Sequence, residues 1–420
     1  MRLNRKQFSI AALILAATPN VRSAEVATGD KSAASPAKEQ SFLRLDGTDL
    51  HIGDLPPITF HGFASQGFLS SDTYNYLGKT KEGSFEFTEA AVNASMSPFA
   101  RTRISAQAFL FDVGNVGRWS LGLDYAMIDY TLRDEIGFRA GRIRRPEGIY
   151  NSIQDIDLTR TSVLLPQGMY DARWRDFNAS VDGGSVYGNI GMGGAGSFSY
   201  EVYGGNVELT EQGGVARWLQ DLVAAQGAEY GKVNGFPQAG VQLWWATPVE
   251  GLRVGAAWTE AFGFSYDYKV PIAPGFSLPA HSDIDAPSEH VSVEYQHKSW
   301  TFQAEYKHST YDIKDNLQGN SKSGNDTWYV GAAYRVNKWF EVGSYYTEYY
   351  ADVSQREGTD AFQKDFALSL RFDPLPWWIV KVEGHSIHGT ALLRDFANNP
   401  AGTHNNDGWF MLALKTTISF

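Results

Sequence analysis

From Phe410 to the end of the chain, Phe410, Leu412, Leu414, Thr416, Ile418 and Phe420 share one face, and Met411, Ala413, Lys415, Thr417 and Ser419 share the other. A side-chain period of two predicts a strand. One face is apolar, the other carries a lysine, and the last residue is aromatic. A strand of about 10 residues with these properties fits the wall of a membrane-spanning β-barrel; a soluble sandwich is the competing reading of this stretch alone.

The same alternation recurs about sixteen times from Ile58 onward, over 58–70, 83–96, 101–112, 119–132, 135–143, 181–191, 197–207, 236–247, 250–262, 287–298, 299–310, 325–336, 338–350, 361–373, 376–389 and 408–420. In 299–310, for example, Trp300, Phe302, Ala304 and Tyr306 oppose Thr301, Gln303, Glu305 and Lys307. Every second connection is short, as at Arg133–Asp134, Pro248–Val249 and Lys298–Ser299; the others, around 70–82, 113–118, 144–180, 208–235, 263–286, 311–324, 351–360 and 390–407, are longer. Short turns on one rim and long loops on the other predict an all-β, sixteen-stranded antiparallel transmembrane barrel over 58–420, with both termini on the short-turn, periplasmic side. Rings cluster near segment ends, at Trp119, Trp244-Trp245, Trp300, Trp339-Phe340, Tyr345-Tyr346, Tyr349-Tyr350, Trp377-Trp378 and Trp409-Phe410. Aromatics with a polar edge favour a membrane–water boundary.

Composition agrees. Aromatics make up 14% of the 420 residues, yet mean hydropathy is only −0.31, because alternating strands give half their residues to water. There is no cysteine, which excludes disulfide and thiolate chemistry. Residues 1–24 read as a secretory signal: Arg2, Arg5 and Lys6 are basic, Phe8–Ala17 is an apolar core too short to span, and Val21–Ala24 offers small residues for cleavage. Removing Arg2, Arg5, Lys6 and Arg22 takes the net charge from −11 by four units to about −15, which argues against a nucleic-acid partner. Residues 25–57 are mixed and polar, and read as a mostly flexible periplasmic extension.

The longest connection, Arg144–Ser180, carries Arg144, Arg145, Arg160, Arg173 and Arg175 against Glu147, Asp155, Asp157, Asp171 and Asp176. Its Val163-Leu164-Leu165 would be poorly placed on an exposed tip and is expected to pack against a wall. Four motifs occur in order: Phe60–Phe68 (FHGFASQGF), Gly83–Phe87 (GSFEF), Gly137–Ile143 (GFRAGRI) and Arg160–Pro166 (RTSVLLP). Together, over roughly 58–190, they resemble the Gram-negative outer-membrane porins grouped around the phosphate-selective porins O and P. The resemblance implies a passive channel, homotrimers, a third loop folded into the lumen, and a terminal aromatic, Phe420, read by the barrel-assembly machinery. The arginine ladder and lysine cluster of the phosphate-specific members have no match here, so phosphate selectivity does not carry over.

The implied constriction residues are Arg144, Arg145, Asp155, Asp157 and Arg160. Alternation places Arg101, Arg103, Arg139, Arg253, Lys298, Lys307, Arg335, Arg371, Lys381 and Lys415 inward, against Asp129, Glu294, Glu305, Glu341 and Glu383. A basic excess in a narrow aqueous channel implies a weak anion preference; pairing across strands is the alternative. Enzyme motifs fail. Gly191–Gly196 has dinucleotide-loop spacing, but no helix follows. Gly384–His388 lacks the last glycine of a nucleophile elbow. His385 and His388, three apart on a strand, face opposite sides and cannot share a metal. Val215, Trp218, Leu219, Leu222 and Val223 predict a short amphipathic helix in the fourth long loop. The chain reads as a porin in the outer-membrane bilayer, passing small polar or anionic solutes, with no catalysis, cofactor or metal. An outer-membrane hydrolase and a closed structural or adhesive barrel are the alternatives.

Overall fold

The computed structural model describes residues 42–393 and 406–420; the expected signal segment and most of the expected extension lie outside these. Sixteen strands form the barrel: β1 Ile58–Ser71, β2 Phe87–Phe99, β3 Thr102–Val113, β4 Val116–Arg133, β5 Ile136–Arg144, β6 Ser180–Gly191, β7 Ser197–Val207 and β8 Phe236–Ala246 make the first half. β9 Leu252–Ala273, β10 Phe276–His297, β11 Trp300–Asp315, β12 Gly319–Asn337, β13 Phe340–Tyr350, β14 Phe362–Leu375, β15 Trp378–Gly389 and β16 Gly408–Ser419 complete it. Each strand pairs antiparallel with its sequence neighbour, and β16 closes on β1 with Thr416 opposite Gln66. Closure leaves no free edge in the sixteen-stranded wall, which a strand needs in a medium that offers no hydrogen bonds.

The terminal strand shows why the alternation matters. Met411, Ala413, Lys415 and Thr417 are buried inside, whereas Phe410 is 61% exposed and Phe420 59% exposed. Large apolar side chains left in the open over a whole barrel wall have lipid as their natural solvent. Trp300, Trp339 and Trp377 stand outward beside the short turns, where a girdle belongs. Trp409 and Tyr345 do not: both point into the lumen, and Trp409 packs edge-on against Tyr74 and Tyr76.

Three long-rim connections differ from expectation. The link 113–118 is a two-residue turn, and 263–286 and 311–324 are strand, not loop. β9 and β10 run 22 residues each, about twice what a tilted strand needs to cross hydrocarbon, so the asymmetry of the rims survives as overhanging hairpins. Residues 43–52, within the expected flexible extension, instead form a hairpin (Leu43–Asp46 with Asp49–Ile52) that reaches β1 through Asp49 and Leu50. The expected helix is present at Gly214–Ala225, burying Val215, Leu219 and Val223.

Phe420 completes the seam. Its N–H donates to the Gly62 carbonyl at 3.0 Å, and the Gly62 N–H returns a bond at 3.1 Å. A side chain at Gly62 would lie 2.6 Å from the Phe420 ring, so an aromatic covers a glycine across the closing pair. Deleting Phe420, or Gly62→Val, is expected to lower the yield of the compact form that resists unfolding in unheated gel samples; unchanged yield for both would remove the seam from assembly.

Candidate functional site: the third loop in the lumen

β5 ends at Arg144 and β6 begins at Ser180, and the chain between them is pinched where the Arg145 N–H meets the Ala179 carbonyl at 3.0 Å. From this neck the loop runs inside the barrel rather than over its rim. Gly148, at φ +61, turns it inward with His290, Glu305 and Tyr170 too close for any side chain.

Two carboxylates on the wall hold the loop by its backbone. Glu305 on β11 accepts the Ile149 N–H at 2.8 Å, the Tyr170 hydroxyl at 2.5 Å, the Tyr329 hydroxyl at 2.8 Å and the Ser292 hydroxyl at 2.7 Å. Glu383 on β15 accepts the N–H groups of Val163 at 2.9 Å and Leu164 at 2.8 Å. Lys381 adds bonds to the carbonyls of Asp157 and Ser162 at 2.8 and 2.9 Å, and Arg371 one to Leu158 at 2.8 Å. The apolar Val163 and Leu164 bury against the inner wall with Tyr74, Phe87 and Trp409. The expectation that this triplet tethers the loop describes these contacts well, with Leu165 joining a second cluster of Tyr150, Met169, Tyr170, Tyr329 and Tyr345 that fills the middle of the lumen.

All five expected constriction residues lie on or beside this loop, but in three closed ion clusters. At the neck, Arg144 and Arg175 share Asp124 and Asp155; Arg144 and Arg175 lie 2.6 and 2.7 Å from Asp155. Arg145 pairs with Glu147, which also takes Lys307 at 2.6 Å. Asp157, fully buried, meets Lys415 at 3.0 Å, Arg160 at 3.2 Å and Lys381 at 3.6 Å, and accepts from Thr417 at 2.6 Å. Arg145, Asp155 and Asp157 are almost wholly buried; they fasten the loop instead of facing passing ions.

The wall residues follow the same rule, and this corrects the expected basic excess. Arg139 bridges Asp129 and Glu201 at 2.9 and 2.7 Å. Arg253 pairs with Glu294 at 3.0 Å, Arg335 with Glu341 and Asp373 at 2.7 and 2.6 Å, Arg371 with Asp373 at 2.8 Å, and Lys415 also with Glu89 at 2.5 Å. The interior is charge-paired, partly across strands as the alternative reading has it (Arg139, Arg253, Arg335) and partly to carboxylates of the third loop (Lys307, Lys381, Lys415). Arg101 and Arg103, at the short-turn rim, differ: they bond a carbonyl (Leu132, 2.8 Å) and a hydroxyl (Ser95, 3.3 Å) and are exposed. Arg101 and Lys298 both sit in short turns, at φ +65 and φ +54.

Sequence reasoning missed Asp124. A bulge opposite Gln107 and Ala108 shifts the register of β4, so Leu121 and Leu123 face out while Asp124 turns in. The signal was visible: outward apolar positions are odd before residue 124 and even at Ile128 and Tyr130. Glu89, Glu201, Asp365 and Asp373 were also absent from the inward tally, although alternation would have placed them there. His385 has carboxylates at both ring nitrogens, Asp365 at 2.9 Å and Glu383 at 3.0 Å, so it is not poised to take a proton from a serine. Gly191–Gly196 is a turn between β6 and β7, with no helix after it.

Above the tyrosine-rich layer, toward the long hairpins, the lumen holds a cavity of about 370 Å³; a smaller one of about 80 Å³ lies beside Arg160, Gln303 and Glu341.

No family model matches the chain, and no curated protein matches it by sequence. Solved structures do match by shape. An outer-membrane protein of Vibrio cholerae, OmpT, aligns with 88% of this chain and 99% of its own at 12% identity and a TM-score of 0.55. An anion-selective porin from Comamonas acidovorans aligns over 86% and 99% at 11% identity and 0.52. The outer-membrane channel DcaP of Acinetobacter baumannii aligns over 87% and 97% at 10% identity and 0.50. At these identities the likeness is one of fold: the chain has the closed sixteen-stranded barrel of Gram-negative outer-membrane porins.

Proposed function

We propose that this protein is an outer-membrane porin, a passive diffusion channel for small hydrophilic solutes, narrowed by its third loop. The observation that carries the reading is the loop itself, fastened by Glu305 and Glu383 inside a closed barrel whose inner wall is polar and whose outer wall is apolar. A hydrolase needs a serine–histidine pair, and the histidine of the elbow-like stretch is bound by two carboxylates instead. Residues 1–24 act in this reading as the export signal, 25–57 as the periplasmic extension, and the barrel-assembly machinery as the insertion partner. The four motifs support kinship with the phosphate-selective O and P group, without its phosphate ladder. A homotrimer fits the resemblance, and one solved neighbour of the same fold, OmpT of Vibrio cholerae, is described in a trimer form. Stepwise conductance in planar bilayers is the expected result; heat-modifiable, correctly folded protein that gives no steps would favour the closed structural barrel.

Any anion preference rests on Arg101 and Arg103, with Lys298 as the remaining rim cation, because the other expected wall cations are matched by carboxylates. Replacing both with Ser is expected to move the reversal potential toward cations by a few millivolts in dilute salt and by less in 1 M salt, where the screening length falls to about 3 Å. An equal shift at both salt concentrations would place the selectivity elsewhere.

A further inference from the structure

The cavity of about 370 Å³ above the third loop falls in the size range of small-molecule sites, roughly 300–1,000 Å³. Its two sides differ in chemistry. On the wall, register sets Thr259 opposite Ser288, Ser288 opposite Ser309, and Ser309 opposite Asn325. Four adjacent strands thus present a continuous row of hydroxyl and amide groups at one level. Toward the long rim the inward positions Ala286, Ile284 and Ile313 are apolar, and Tyr311, between Ser309 and Ile313, accepts a hydrogen bond from Asn325 at 2.7 Å. Facing the row, Trp174 and Phe177 of the third loop and Trp218 of the Gly214–Ala225 helix form an aromatic cluster, with Trp174 and Trp218 centred 5.2 Å apart at 55° and Trp174 and Phe177 edge-on.

Two further polar atoms belong to the lining. Gln238 Oε1 and Thr327 Oγ1 are buried, with Gln238 3% and Thr327 1% exposed, and neither has a hydrogen-bond partner among the described residues. A buried acceptor and a buried hydroxyl left without partners are costly unless something else completes them. The cations of the lining give no call for an anion: Lys307 and Arg145 are held by Glu147, and Arg173 lies 2.7 Å from Asp171.

We propose that this cavity is a binding site for a neutral polyhydroxylated ring, a mono- or disaccharide, on its way through the channel. A pyranose carries hydroxyls around its rim and C–H groups on its faces. The hydroxyl row and the unpartnered Gln238 and Thr327 take the rim, and a ring of the Trp174–Phe177–Trp218 cluster takes a face. The assignment deepens the porin reading and rests on it, since a solute must also be able to leave.

The test uses the full-length mature barrel. In planar bilayers, maltose is expected to block ion current saturably, with half-block on the order of 10 mM, weak enough for release. Polyethylene glycol of similar mass, which lacks the hydroxyl rim, is expected to lower current only in proportion to its concentration. Thr259→Val with Ser288→Ala and Ser309→Ala should raise the half-blocking concentration at least about tenfold, the loss of one well-made bond, and Trp174→Ala should do the same. Sugar binding is read separately in detergent from quenching of tryptophan fluorescence, which does not need conduction. Saturable quenching without any conductance would keep the site and sink the porin reading. Conductance with no saturable maltose effect, or a block untouched by either variant while gel mobility shows folded barrel, would overturn the site.

Discussion

Asp157→Ala is expected to free one side of the third loop, raising single-channel conductance severalfold and destabilising the barrel's interior by about 3–5 kcal/mol. The size follows from what the carboxylate leaves behind. Lys381, Arg160 and Lys415 are buried around it, and among the described residues only Lys415 keeps a second carboxylate, Glu89. Removing one partner of a buried cluster exposes the others to the full cost of desolvation, whereas an exposed pair would lose little. Asp157→Asn keeps the acceptor for Thr417 but not the charge, and should fall between wild type and Ala. The melting of the compact gel form and bilayer conductance measure the two effects; wild-type values in both for Asp157→Ala would mean the loop is held elsewhere.

The same group sets an acid limit. Burial pushes the Asp157 carboxyl up, but Lys415, Lys381 and Arg160 beside it outweigh burial and hold it well below its ordinary value of 3.8. Asp155 is depressed likewise, with Arg175 and Arg144 outweighing its burial. A carboxylate depressed on folding contributes stability that is fully present above its unfolded pKa and disappears as pH falls through the folded one. The loop should therefore stay fastened through pH 4 and conductance should stay at its neutral-pH level there. Opening at pH 5 would contradict this.

Glu305→Ala is expected to release the other side of the loop. Glu305 is the common acceptor for the Ile149 N–H, the Tyr170, Tyr329 and Ser292 hydroxyls, and contacts His290 at 2.9 Å. Each buried donor left without an acceptor costs about 1–3 kcal/mol, so the loss should reach at least about 3 kcal/mol even after partial repacking. Gln is not a neutral replacement: one carboxylate oxygen serves Tyr170 and Tyr329, the other serves Ile149, Ser292 and His290, and an amide offers an acceptor to only one set. Both variants should show current noise from a loosened loop. Quiet, wild-type channels from Glu305→Ala would assign the tether to the Glu383, Lys381 and Asp157 side of the loop.

Much of the architecture was legible because side-chain alternation is a local property. Phe410–Phe420 announces a strand and both its faces without reference to any neighbour, and so do the other fifteen segments, to within a few residues except where 263–286 and 311–324 continue as hairpin. Val163-Leu164-Leu165 likewise marked the third loop as something that packs, because apolar residues on a loop need a wall. What alternation cannot carry is the partner. That Lys415 meets Asp157 and Glu89, from opposite regions of the chain, depends on β16 closing against β1 and on a loop folding across the lumen. So the inward charges read as a basic surplus, when the barrel pairs nearly all of them. Asp124 was hidden by a bulge that flips parity within one strand, and the hydroxyl row Thr259–Ser288–Ser309–Asn325 exists only through the register of four strands. The sequence by itself determined the strands and, outside the bulged β4, their faces, and it marked the third loop as one that packs against a wall. The tertiary structure decided charge balance and the shape of the cavity, because both arise from contacts between residues far apart along the chain.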